Sequence, residues 1–101
     1  MSQLIAEVEI YKSGMTESKP LRTDAGSMLT ITTTGDSGSC ILQCSTDGGV
    51  TWYDRFAVNM ATANCSANLS GEGMFMTVIS DVDYIRVTNV VGYDKVVASI
   101  A

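Results

Sequence analysis

The chain is poor in the residues that perform nucleophilic or acid–base chemistry. It has 101 residues and no histidine, so no Ser–His or Cys–His pair can activate a nucleophile near neutral pH. Cys40, Cys44 and Cys65 are its three thiols. On a strand, Cys40 and Cys44 would share a face roughly 13 Å apart, beyond the reach of a disulfide. That spacing, without histidine, does not suit zinc. The three thiols read as small buried hydrophobes kept reduced. Asp81 and Asp83 sit beside a turn, where aspartate serves the backbone more often than calcium. Arg22, Arg55 and Arg86 could supply the three guanidiniums of a carboxylate clamp, but no spacing unites them. The expectation is a protein that is not an enzyme, with no catalytic residue, cofactor or metal site.

The best-defined local signal lies mid-chain. Two strand-like runs, residues 39–45 and 50–56, flank Thr46-Asp47-Gly48-Gly49, a strong hairpin signal. Asp47 can bond backbone two residues on, and the glycines accept positive φ. The residues Ser45, Asp47, Gly49, Thr51 and Trp52 match the Ser-x-Asp-x-Gly-x-Thr-Trp spacing at every defined position. This stretch resembles the Asp-box hairpin. The resemblance implies an architectural role, with polar side chains bonded to turn backbone and Trp52 packed beneath. A ring buried there would make Trp52→Ala destabilising by about 3–5 kcal/mol. The likeness to sialidases ends with these eight residues, because those enzymes need a propeller several times this length.

Composition bounds the partners. Apolar residues are 46% and charged residues 17%, which suits a globular chain without a membrane span. The net charge is −5, and the six basic residues are scattered singly. A nucleic-acid groove and an anionic membrane are therefore both unexpected partners. The N-terminus has no basic region ahead of an apolar run, so a secretory signal is not expected, and synthesis and folding are placed in the cytoplasm.

Period-two patterning dominates the rest. Leu4, Ala6, Val8 and Ile10 alternate with polar residues, giving a half-buried N-terminal strand or arm over residues 1–13. Residues 14–27 read as a long loop with a short extended piece at Leu21-Arg22. Residues 28–34, 74–79, 84–90 and 95–100 read as strands, with Leu29, Ile31, Ile85, Val87, Val96, Ala98 and Ile100 inward. Residues 57–69 are ambiguous between a helical turn and irregular edge structure. The fold class expected is all-β: one antiparallel β-sandwich, jelly-roll-like, of seven or eight short strands spanning residues 1–101.

From residue 28 onward, the order of strand, S-x-D-G-G-x-T-W hairpin, Gly-rich turn, Met/Phe strand, Tyr84-Ile85-Arg86-Val87 and a closing Val/Ala strand is similar to small β-sandwich virion proteins of tailed bacteriophages. These include capsid decoration (cement) and head-fibre proteins. The resemblance implies a non-enzymatic role on the virion surface after assembly in the host cytoplasm, beside the major capsid protein or another virion protein, often as a homotrimer. Leu4, Ala6, Val8 and Ile10 are candidate contact residues for such an oligomer, and Met15, Met60, Met74 and Met76 add adaptable apolar surface. The alternative is a carbohydrate-binding or host-adhesion module using Trp52, Tyr53, Tyr84 and Tyr93 as a stacking platform.

Overall fold

The computed structural model describes residues 4, 6–15 and 17–101. Eleven strands follow in chain order: β1 (Ala6–Lys12), β2 (Leu21–Arg22), β3 (Met28–Thr34), β4 (Ser39–Ser45), β5 (Tyr53–Asp54), β6 (Ala57–Asn59), β7 (Cys65–Ser66), β8 (Asn68–Ser70), β9 (Gly73–Val78), β10 (Tyr84–Val91) and β11 (Lys95–Ile100). Among the described residues there is no helix, and hence none long and apolar enough to cross a membrane. The strands pair antiparallel into a six-stranded sheet, β1-β11-β3-β9-β6-β7, and a five-stranded sheet, β2-β10-β4-β5 with β8 also on β4. Only the β4–β5 and β6–β7 links stay within a sheet. Every other connection crosses between sheets, so each sheet depends on the other for its chain order.

Alternation decides what is buried. In β3, Leu29, Ile31 and Thr33 point in; in β11, Val96, Ala98 and Ile100 do so. The facing sheet contributes Cys40, Leu42 and Cys44 from β4, and Ile85 and Val87 from β10. Both sheets thus bury one face against the other, the arrangement expected of an antiparallel sandwich. Strand number exceeds the seven or eight expected because residues 57–70 hold three short strands, β6, β7 and β8, with one helical turn between β6 and β7, where the Ala63 N–H donates to the Asn59 carbonyl at 2.7 Å. The long loop over residues 14–27 does contain the extended pair Leu21–Arg22, which adds to the edge of β10.

Two strands depart from simple alternation. In β1 the register with β11 shifts between Glu9 and Tyr11. This bulge turns both Ile10 and Tyr11 inward, 7% and 4% exposed, while Val8 remains 38% exposed. Ala6 and Val8 lie opposite the inward Ile100 and Ala98, so the expected face of the strand holds from Ala6 to Ile10 and Tyr11 joins it after the bulge. In β10 the register shifts between Thr88 and Val91, with Asn89 at φ 53°, and Val90 turns into the core.

The thiols divide by position. Cys40 and Cys44 are buried on the inner face of β4, and Cys65 is exposed on β7. Burial raises the Cys40 thiol to about 12 and, against the pull of Arg55, the Cys44 thiol to about 11. Neither thiol reaches its nucleophilic form near neutrality. Native protein treated with an alkylating reagent should therefore be modified at Cys65 alone, with Cys40 and Cys44 reacting only after unfolding. Rapid labelling of three thiols in the native state would show that β4 is not buried as described.

Candidate functional site

The turn after β4 gathers all five residues singled out by spacing. Ser45 is fully buried at the strand end. Its hydroxyl donates to Asp47 Oδ1 at 2.7 Å and accepts the Gly49 N–H at 2.9 Å. Asp47 Oδ1 also accepts the Thr51 N–H at 2.9 Å, and Trp52 Nε1–H donates to the Gly49 carbonyl at 3.1 Å. Gly48 and Gly49 adopt φ of 78° and 91°, which a side chain would strain. The strand that returns is short. Only Tyr53 and Asp54 pair with β4, opposite Cys44 and Gln43, and residues 50–52 belong to the turn instead of a strand.

The bonds donated by the Thr51 N–H and the Ser45 hydroxyl hold the exposed Asp47 carboxyl down at about 2. The sign follows from linkage. A carboxyl with its folded pKa below the unfolded value of about 3.9 stabilises the fold above that value and ceases to do so as pH falls through the folded one. The gap in thermal midpoint between wild type and Asp47→Ala should therefore narrow as pH drops from neutrality toward 2. A gap that stays constant would mean that the carboxylate charge has no part in the turn.

Trp52 packs against the turn, where a Cβ on Gly49 would lie 3.8 Å from its ring, but it is not a core side chain. It is half-buried over the outer face of the five-stranded sheet, with the Arg86 guanidinium 4.2 Å from its ring centre. The inner face is already filled by Cys40, Leu42 and Cys44, so the returning chain can pack its indole only outside. Arg86 in turn donates from Nε and Nη2 to Gln43 Oε1, at 2.9 and 2.8 Å. Gln43 Nε2 donates to Asp54 Oδ1 at 3.1 Å. A polar ladder Arg86–Gln43–Asp54 thus runs across three paired strands. The sequence reading missed it. The available signal was the outward alternation of Gln43 and Arg86, but their register cannot be read from either strand alone.

A second cluster lies where the chain passes from β5 to β6. Arg55 donates to Asp81 Oδ2 at 2.9 Å, to the Tyr53 hydroxyl at 3.1 Å and to the Val78 carbonyl at 3.2 Å. The Arg55 bond holds Asp81 below the usual carboxylate range. Asp83 instead accepts the Gly48 N–H at 3.2 Å, tying the hairpin turn to the loop before β10. Among the described residues, no three His, Cys, Asp or Glu side chains are grouped as metal ligands. Arg22, Arg55 and Arg86 have separate partners: Asp24, Asp81 and Gln43.

Of the four aromatics proposed as a platform, Trp52 and Tyr84 both lie against Gly49, but Tyr93 is elsewhere and in the core. Tyr93 is 3% exposed, its hydroxyl donating to the Gly71 carbonyl at 2.7 Å, and Arg86 lies over the Trp52 ring. The candidate contact residues of the N-terminal strand are also divided. Leu4 and Val8 are 54% and 38% exposed, whereas Ile10 belongs to the core and cannot face a partner. β1 itself is paired along its length with β11 of the same chain.

These features define a two-sheet antiparallel β-sandwich in which Asp47, Asp81, Asp83 and Arg86 are bonded within the fold. A crystal structure of the same architecture is that of the SPBc2 prophage-derived protein YomS, with a TM-score of 0.81 over 99% of this chain and 96% of that one, at 11% identity. No family model matches the chain. No curated protein matches it either. At this identity the likeness is one of fold.

Proposed function

We propose that the chain is a non-enzymatic structural protein of a bacteriophage particle, decorating or cementing the capsid through the major capsid protein or another virion protein. The observation that carries this reading is the end-to-end likeness of fold to a prophage-derived protein, covering 99% of one chain and 96% of the other. The order of strands and turns from residue 28 onward, similar to small virion proteins, supports it independently. So does the use of Asp47, Asp81, Asp83 and Arg86 within the fold's own bonding. Cementing requires a rigid module with a contact surface, and that is what two interlocked sheets provide. Nucleic acid and membrane have no part in this reading, and the module acts as a homo-oligomer.

The test uses expanded capsids of the phage that encodes the chain. Capsids assembled with and without it are heated and their disruption is followed by light scattering. Bound protein that co-sediments with capsids and raises their disruption temperature supports the reading. Binding to a glycan array with no capsid binding would replace it with host adhesion.

A further inference from the structure

The outer face of the six-stranded sheet has a composition that a solvated sheet face ordinarily avoids. Four adjacent strands, β3, β9, β6 and β7, contain no Asp, Glu, Lys or Arg among them, in a chain that is 17% charged. Strand register brings their outward residues into rows. Met76 lies beside Val58 on one side and Thr30 on the other; Val78 pairs with Met28 and Met74 with Thr32. The result is an apolar face on which Phe56, Val58, Met60 and Val78, 61%, 38%, 54% and 53% exposed, line a shallow depression and Met74, 50% exposed, continues the outward row of β9. The Arg55–Asp81 ion pair, which also holds the Val78 carbonyl, marks its polar rim.

We infer that this face is a homotypic contact, covered in solution by the same face of a second copy across a two-fold axis. Three arguments select a second copy. The first is charge. Each chain has a net charge of −5, so copies meeting through the carboxylate-bearing surfaces repel, whereas four uncharged strands can approach one another without that penalty. The second is size. The exposed side chains present on the order of 500 Å² of apolar surface per copy, at the upper end for a monomer's largest patch. Two such faces together reach about the 1,000 Å² at which specific interfaces begin. The third is shape. Rows of methionine and valine on one pleated sheet interdigitate with identical rows on another, and methionine adapts to what remains unfilled. A patch that meets itself requires a two-fold axis, in place of the three-fold one suggested by sequence resemblance. The inference stands apart from the virion reading, since it concerns the free protein.

Sedimentation velocity of the full chain, from micromolar to sub-millimolar concentration, tests it. The expected result is a concentration-dependent rise from 10.7 kDa to twice that mass and no further. Met74→Glu and Val78→Glu each place a carboxylate on the exposed face, and each should weaken association about a hundredfold or more. Val50→Glu, on the 82% exposed tip of the hairpin turn, should leave it unchanged. Circular dichroism identifies any variant that fails to fold, and the wild-type mass decides the matter without either variant. A chain that stays at 10.7 kDa throughout, a trimer, or a dimer indifferent to both folded variants would overturn the proposal.

Discussion

Gly38→Ala should lower the stability of the fold by about 3 kcal/mol, at the upper end for overpacking. A Cβ at this position would lie 2.0 Å from Cδ1 and 2.3 Å from Cε1 of the Tyr93 ring. The ring has little freedom to withdraw. It is 3% exposed, and its hydroxyl is bonded to the Gly71 carbonyl at 2.7 Å. The backbone of Gly38 is equally fixed, because its N–H donates to Gly35 O at 3.1 Å and its carbonyl accepts the Gly71 N–H at 2.9 Å. Three connections meet here: the turn from β3 to β4, the turn from β8 to β9, and the turn from β10 to β11. A midpoint lower by roughly 12–24 °C is expected in thermal unfolding. Gly48→Ala is the control. That Cβ would meet nothing within 4 Å, and only its φ of 78° is strained, so it should be destabilising by about 1 kcal/mol. Equal effects for the two variants would mean that the Tyr93 packing does not hold the joint.

Leu42→Ala should be destabilising by about 3–4 kcal/mol, whereas Trp52→Ala should be so by only about 1.5 kcal/mol. Leu42 is 0% exposed at the centre of β4, between the sheets. Its loss leaves a cavity that two interlocked sheets cannot collapse to fill. Trp52 is half-buried, and its removal forfeits the Arg86 contact and the bond to Gly49 while leaving the inner face intact. Denaturant midpoints of the two variants, read with a common slope, give the comparison. A larger loss for Trp52→Ala would return the indole to the core.

That reversal shows which features were legible in the sequence. The strands around Leu29, Ile31, Ile85, Val87, Val96, Ala98 and Ile100 could be read because β3 and β11 alternate along their whole length and β10 does so as far as Thr88, and each of these side chains is fully buried. Period two fixes a face, and a face against a second sheet fixes burial. The bulge in β1 could not be read, because one extra residue leaves no mark on composition yet turns Ile10 and Tyr11 the same way. Residues 57–69 were obscure for a related reason. β6, β7 and β8 are two or three residues long, too short for a period to show. The turn residues Ser45, Asp47, Gly49, Thr51 and Trp52 could be located because their bonds are local. The Arg86–Gln43–Asp54 ladder and the Arg55–Asp81 pair join residues 11 to 43 positions apart, and sequence spacing says nothing at that range. The methionines present a middle case. Their adaptability was evident from type, but it took the register of β3, β9 and β6 to bring Met74, Met76 and Met28 onto one face and to leave Met15 elsewhere, beside β1.

Quantitative mass spectrometry of purified particles is the sharpest test of the proposed structural role in a phage particle. Particles from the phage that encodes the chain are banded by density, dissociated and digested, and this chain's peptides are counted against those of the major capsid protein. The chain is expected in intact particles, in fixed proportion to the capsid protein and at a copy number that only a repeated lattice site can supply. Its absence from purified particles, with the chain found only in the infected-cell lysate, would exclude a structural role in the virion.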